Sequence, residues 1–241
     1  MEISYNPLIV ALDVNSREKA LALVDKLSDH VGMFKVGMEL FYGTGGNIVK
    51  EIKNRGGRVF LDLKLHDIPN TVARASRVIT GLEPDIINVH ASGGPEMMSE
   101  AAAAVSEEAA SLDIKKPLVI AVTVLTSINR EILNGSIGIE GELEATVVRW
   151  SEMTKKCGLD GVVASPKEVS VIREKCGDDF IIVTPGVRPS GSETNDQKRV
   201  MTPLEAIKAG SSYIVVGRPV TSSDNPVESA KNILRELKGH V

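Results

Sequence analysis

Short apolar runs alternate with stretches of helical periodicity along almost the whole chain. Residues 8–14 read as a strand, and Ser16 caps a helix that lines up Ala20, Leu23, Val24 and Leu27 on one face. Residues 33–38 form a second strand. A turn carrying Gly43, Gly45 and Gly46 then leads into a helix that stops near Gly56 and Gly57. The third strand begins at Val59 and is followed by a helix over 70–81. The remaining strands fall at 85–91, 117–125, 161–165, 180–187 and 213–217. Helical periodicity fills the gaps: an alanine-rich run over 95–112, a helix with Leu143, Val147 and Trp150 on one side, and shorter helices over 167–175 and 203–209. The last helix, 227–237, places Val227, Ala230, Leu234 and Leu237 on one face.

Eight strand-then-helix units in 241 residues predict one α/β domain over 1–241, a single (β/α)₈ TIM barrel. The competing arrangement is a doubly wound open sheet. Its dinucleotide-binding form needs a glycine-rich turn after the first strand. Here that turn reads Asp13-Val14-Asn15-Ser16, without a glycine.

Composition narrows the classes further. The net charge is −4 and no basic run stands out, which argues against nucleic acid as a partner. No apolar stretch approaches the roughly 18 residues of a membrane span, and residues 1–7 are too short and polar for a secretory signal. Cys157 and Cys176 each precede a glycine that stops a helix, so they read as small apolar residues in last turns. The expected location is a reducing cytoplasm.

The chemistry begins in the third strand. Alternation puts Leu61, Leu63 and Leu65 on one face, and Phe60, Asp62 and Lys64 on the other. Buried charge is costly unless it is paired. The pair is therefore either a solvated ion pair on an edge strand or part of a catalytic array. In a (β/α)₈ barrel the active site lies at the C-terminal ends of the strands. Asp13, Lys35, Asp62, Lys64, His90, residues 123–127 and the pair Gly217-Arg218 all fall at such ends, which favours the array. Alternating lysines and aspartates keep each other charged. A lysine ammonium beside a carboxylate suits proton donation better than nucleophilic attack, which needs a neutral amine.

A phosphate site is expected near the loops after strands seven and eight and the start of a short extra helix. The helix from Pro203, capped by Thr202, is assigned that place here. Gly217 lets backbone N–H groups approach an anion, and Arg218 can grip it with two hydrogen bonds. The polar loop 188–197 reads as a lid that brings Arg188 and Gln197 to the phosphate end.

These residues lie in blocks that resemble the orotidine 5′-phosphate decarboxylase family. The central block is Asp62-Leu63-Lys64-Leu65-His66-Asp67-Ile68-Pro69-Asn70-Thr71. Ala11-Leu12-Asp13, Phe34-Lys35-Val36-Gly37, Thr123-Val124-Leu125-Thr126-Ser127, Pro185-Gly186-Val187-Arg188-Pro189 and Val216-Gly217-Arg218 extend it from strand one to strand eight. The resemblance implies decarboxylation of orotidine 5′-phosphate to uridine 5′-phosphate, the last step of de novo pyrimidine synthesis, without metal or organic cofactor. It implies that Lys64 protonates C6, that Asp62 destabilises the substrate carboxylate, and that Lys35 and Asp67 hold the other two in place. It further implies that Asp13 and Lys35 bind ribose hydroxyls, that Thr126 contacts the pyrimidine, and that Arg188, Gln197, Gly217 and Arg218 hold the phosphate. Asp67 and Thr71 are implied to serve the neighbouring subunit's site, which makes the expected partner a second copy in a homodimer with shared sites.

Two rivals stand beside this reading. A magnesium-dependent sugar-phosphate lyase or aldolase of the same barrel superfamily shares the Asp-x-Lys-x-x-Asp core, but resembles a glutamate where this chain has Lys35, and a lysine is poor ground for a divalent cation. His90 alone is weak support for a metal. A non-catalytic nucleotide-phosphate binder is the other rival, and the Asp62–Lys64 array has no purpose in binding alone.

Overall fold

The computed structural model describes residues 5–189 and 201–238. Eight parallel strands close in sequence order into a barrel, β1 pairing with both β2 and β8. The strands are β1 (Leu8–Ala11), β2 (Met33–Gly37), β3 (Val59–Leu65), β4 (Ile86–His90), β5 (Leu118–Val122), β6 (Gly161–Val163), β7 (Ile181–Pro185) and β8 (Tyr213–Val216). The α-helices are α1 (Arg17–Leu27), α2 (Met38–Thr44), α3 (Asn47–Lys53), α4 (Pro69–Thr80), α5 (Gly94–Ser111), α6 (Leu143–Lys156), α7 (Val169–Cys176), α8 (Pro203–Lys208), α9 (Arg218–Thr221) and α10 (Pro226–Leu237). None of the described helices is long and apolar enough to cross a membrane.

Period-two alternation divides the strand residues between two cores. Leu8, Val10, Val59, Leu61, Ile87, Val89, Ile214 and Val216 face outward and pack with helix residues such as Val24, Ile52, Val105 and Ile233. Ile9, Phe60, Ile120, Val183 and Val215 face inward and fill the barrel with Met33, Ile86 and Tyr213. The inward positions one step further up are Ala11, Lys35, Asp62 and Asn88, so the apolar filling ends where the charges begin.

The opposite end of the barrel is sealed by a repeated device. The residue just before each even-numbered strand donates its N–H, at 2.8 Å, to the odd strand beside it: Gly32 to Leu8, Asp85 to Val59, Asp160 to Val119 and Ser212 to Ile182. In three cases its side chain accepts the return N–H, Asp85 from Val59 at 2.9 Å, Asp160 from Val119 at 2.7 Å and Ser212 from Ile182 at 3.1 Å. At Gly32 a side chain is impossible, because a Cβ would stand 2.0 Å from the carbonyl oxygen of Asn6. There Asn6 takes over and accepts the Leu8 N–H at 3.0 Å. Each device satisfies a strand-end donor that would otherwise be orphaned.

The strands are shorter than the apolar runs. β1, β5, β6 and β7 stop before 14, 125, 165 and 187, and the apolar residues beyond their ends, Leu12, Val124, Ala164 and Val187, are buried in the loops. Two short helices that the periodicity does not predict start right at strand ends. α2 starts at once after Gly37, with its buried Leu40 turned to the core. α9 begins at Arg218, directly after β8. That second helix corrects the placement of the short extra helix: it follows β8, whereas the helix from Pro203 is the regular β7–β8 connection. Thr202 and Glu205 also cap that connecting helix reciprocally, which occupies N–H groups an anion would need.

Candidate active site

Four charged side chains, from β2, β3 and the loop after β1, meet at the C-terminal mouth. Barrel register sets Ala11 beside Lys35, and Gly37 beside Asp62. Lys35 Nζ then lies 3.0 Å from Asp13 Oδ1 and 3.3 Å from Asp62 Oδ2. Lys64 Nζ lies 2.7 Å from Asp62 Oδ1. The series Asp13, Lys35, Asp62, Lys64 therefore alternates in sign through direct contacts. Burial alone would raise the Asp62 pKa, but the two ammoniums and the hydrogen bonds from Lys64 and Asn88 outweigh it and hold the carboxyl below the usual carboxylate range.

Lys64 reaches this position through a distortion. From Leu61 to Leu65 β3 advances four residues while β4 advances two, from Ile87 to Val89, so β3 bulges between them. Within the bulge Lys64 adopts a left-handed backbone with φ 55°. Such a conformation costs a non-glycine residue about 1–2 kcal/mol. It persists only where its surroundings hold it. Asn88, opposite the bulge and 1 % exposed, supplies part of that hold. Its Oδ1 accepts the Lys64 N–H at 2.8 Å and its Nδ2 donates to Asp62 Oδ1 at 2.7 Å.

Gly37, at the C-terminal end of β2, lies against the array. A Cβ there would stand 3.3 Å from Lys35 Nζ and 3.5 Å from Asp13 Oδ1. Gly217 closes the other side, since a Cβ on it would lie 3.9 Å from Asp13 Oδ2. Arg218 is exposed at the first position of α9. Arg188 follows β7, the neighbour of β8, and its N–H donates to Met201 O at 3.1 Å, so the chain leaves and returns at one point. Gln197 lies outside the described residues. Thr126 is exposed beyond β5.

Asp67 and Thr71 stand apart from the array. Asp67 is exposed, its Oδ1 accepts the Ile68 N–H at 2.6 Å, and it makes no ion pair among the described residues. Thr71 is exposed in the first turn of α4. Within one chain, then, the lysine held between two acids is Lys35, and Lys64 has Asp62 alone. His66 and His90 form a ring pair at 5.3 Å beside Lys64. Burial, His66 and Lys64 lower the His90 pKa against the pull of Asp62.

Two polar residues at this end escape a reading by charge pattern. Asn88 is a single amide inside an apolar strand, and its facing inward next to β3 is the only sign of its role. Glu168 follows β6 and is buried. Its signal was a capping box: Ser165 and Glu168 each satisfy the other's backbone N–H. Burial raises its pKa to about 7, with Glu144 adding to the effect.

A closed parallel barrel with alternating acids and amines at its C-terminal mouth defines a (β/α)₈-barrel enzyme equipped for proton transfer. Comparison with known proteins makes this specific. The chain belongs to the orotidine 5′-phosphate decarboxylase / HUMPS family, whose sequence model matches residues 6–233. It is 55% identical over 231 residues to the orotidine 5′-phosphate decarboxylase of Moorella thermoacetica, covering 96% of this chain and 92% of that one. The Syntrophomonas wolfei enzyme of the same name is 56% identical over 232 residues, covering 96% and 97%. Among solved structures, the orotidine 5′-phosphate decarboxylase of Lactobacillus acidophilus superposes with a TM-score of 0.86 at 38% identity, covering 96% of this chain and 99% of that one.

Proposed function

We infer that this chain converts orotidine 5′-phosphate to uridine 5′-phosphate and carbon dioxide in pyrimidine biosynthesis, with Lys64 as the proton donor. The observation that carries the reading is the unbroken series Asp13–Lys35–Asp62–Lys64. When the bond from C6 to the carboxylate breaks, the electron pair stays on C6 and CO₂ leaves. That pair is localised, so it needs a cation nearby and a proton at once. Lys64 Nζ supplies both, becomes a neutral amine, and is reprotonated from solvent. Asp62, already ionised, faces the substrate carboxylate and raises the energy of the bound ground state; the repulsion disappears as CO₂ leaves. Lys35 keeps Asp62 charged and oriented.

Asp13 and Lys35 bind the ribose hydroxyls, and Thr126 the pyrimidine. Arg188, Gln197, Gly217 and Arg218 hold the phosphate. Binding energy from that remote group is then available to position the base. Asp67 and Thr71 complete the site of a second copy in a homodimer. What supports this is the exposure of the segment that carries them: Ile68 is 65% and Val78 is 73% exposed, unusual for apolar side chains along one turn and helix.

Lys35 also weighs against a magnesium-dependent lyase. Its ammonium occupies the space between Asp13 and Asp62 where a dication would have to sit. The test is the ultraviolet absorbance of orotidine 5′-phosphate during incubation with the protein and excess chelator. Conversion in chelator is expected. Chelator-sensitive turnover would favour the magnesium chemistry, and unchanged absorbance would leave a binder.

A further inference from the structure

The amide of Asn88 touches both partners of the Asp62–Lys64 pair from the neighbouring strand. Three donors converge on the Asp62 carboxylate: Lys64 Nζ and Asn88 Nδ2, each 2.7 Å from Oδ1, and Lys35 Nζ, 3.3 Å from Oδ2. The Lys64 N–H has lost its ladder partner, because the bulge displaces it from the β4 backbone. It donates to Asn88 Oδ1 instead. Only one amide orientation satisfies both contacts, the oxygen toward the N–H and the nitrogen toward the carboxylate. No other side chain of this size offers a donor and an acceptor in that fork. An ionised aspartate only accepts, and a leucine does neither.

We propose that Asn88 is a positioning residue of the reaction: a single side chain that stabilises the left-handed backbone of Lys64 while fixing the rotation of the Asp62 carboxylate. The inference rests on the decarboxylase reading above. It assigns a reason for a polar residue in an otherwise apolar strand, where a buried amide costs stability unless it is fully paired. It also explains how a strained lysine keeps one geometry. The bulge turns Lys64 to the mouth, and the Asn88 oxygen holds it there.

Two variants separate this from a purely structural role. Asn88→Leu keeps the shape and removes both hydrogen bonds. It should lower kcat about 10²-fold. The affinity for uridine 5′-phosphate should stay within about threefold, because the ribose and phosphate contacts are elsewhere. Asn88→Asp keeps an acceptor for the Lys64 N–H but opposes a second carboxylate to Asp62. Its kcat should be low at pH 8 and recover toward pH 5, where one proton shared by the two acids restores a donor to Asp62. The wild type should stay level over that range. A backbone pin alone would leave Asn88→Asp with wild-type kcat and an unchanged pH profile, which would overturn the proposal. So would a loss of uridine 5′-phosphate affinity as large as the loss of kcat. Should Asn88→Leu fail to fold, Asn88→Asp decides by itself. A wild type that leaves orotidine 5′-phosphate unchanged would instead refute the functional reading beneath it.

Discussion

Lys64 Nζ lies 2.7 Å from Asp62 Oδ1, two residues back on the same strand, although Lys64 stands at a backbone φ of 55°. The two side chains therefore meet across a bulge and not along a regular pleat. The acid also contacts a second ammonium, Lys35, which in turn binds Asp13. Disturbing any contact in this series should be felt at the others.

Gly37 gives a mild way to do so. A Cβ there would stand 3.3 Å from Lys35 Nζ, tight enough to displace the ammonium by a few tenths of an ångström. Gly37 lies where β2 passes into α2, at φ −88°, so alanine carries no backbone strain. Gly37→Ala should lower kcat/KM about tenfold, roughly 1.4 kcal/mol of transition-state stabilisation. The melting temperature should stay near that of the wild type. Steady-state kinetics and a thermal melt check both halves.

Arg218 tests the contribution of the remote phosphate. Arg218→Ala should raise KM and lower kcat together, because binding energy that positions the base is lost with the phosphate contact. With orotidine, which lacks the phosphate, wild type and variant should react at similar slow rates. A variant impaired equally on both substrates would remove Arg218 from the phosphate.

The proposed sharing of sites between two subunits makes a prediction about mixtures. Lys64→Ala and Asp67→Ala should each be inactive alone. After subunit exchange, half of the dimers are mixed and one site in each mixed dimer holds both Lys64 and Asp67, which restores about a quarter of the wild-type sites. No recovery on mixing, with exchange verified, would contradict a site built from two subunits.

Glu168 gives the protein a pH-dependent stability. Its pKa is raised to about 7 in the fold, from the ordinary glutamate value near 4.5. A raised acid contributes its full stability below the unfolded pKa and loses it as pH climbs through the folded one. Between pH 5 and pH 8 the wild type should therefore lose on the order of 3 kcal/mol relative to Glu168→Gln. The variant keeps an oxygen to accept the Ser165 N–H without ionising. Denaturant melts of both proteins across that range measure the difference.

Much of this was legible in the chain. Eight apolar runs separated by helical periodicity gave the barrel, and the polar residues at their C-terminal ends gave Asp13, Lys35, Asp62 and Lys64. What alternation does not encode is a bulge. Its two extra residues in β3 depend on how β4 pairs with it, and only that pairing brings Asn88 opposite Lys64. The Asp13–Lys35 contact likewise depends on barrel register. The periodicity marks neither α2 nor α9, because each starts without a turn after its strand, at Gly37 and Gly217. The extra helix therefore lies one loop later than the sequence predicts, after β8. Asp67 and Thr71 follow from the family resemblance alone, since the role proposed for them lies outside a single chain.

The decisive measurement compares orotidine 5′-phosphate conversion by wild type and by Lys64→Ala, with circular dichroism on the same samples. The array predicts rapid conversion by the wild type and a loss of at least about 10³-fold in the variant, larger than a typical general acid's minimum because charge stabilisation goes with the proton. Lys64 is partly exposed at the mouth, so the variant should keep the native spectrum. Turnover near wild type in a folded Lys64→Ala protein would contradict the assignment of the proton to this lysine.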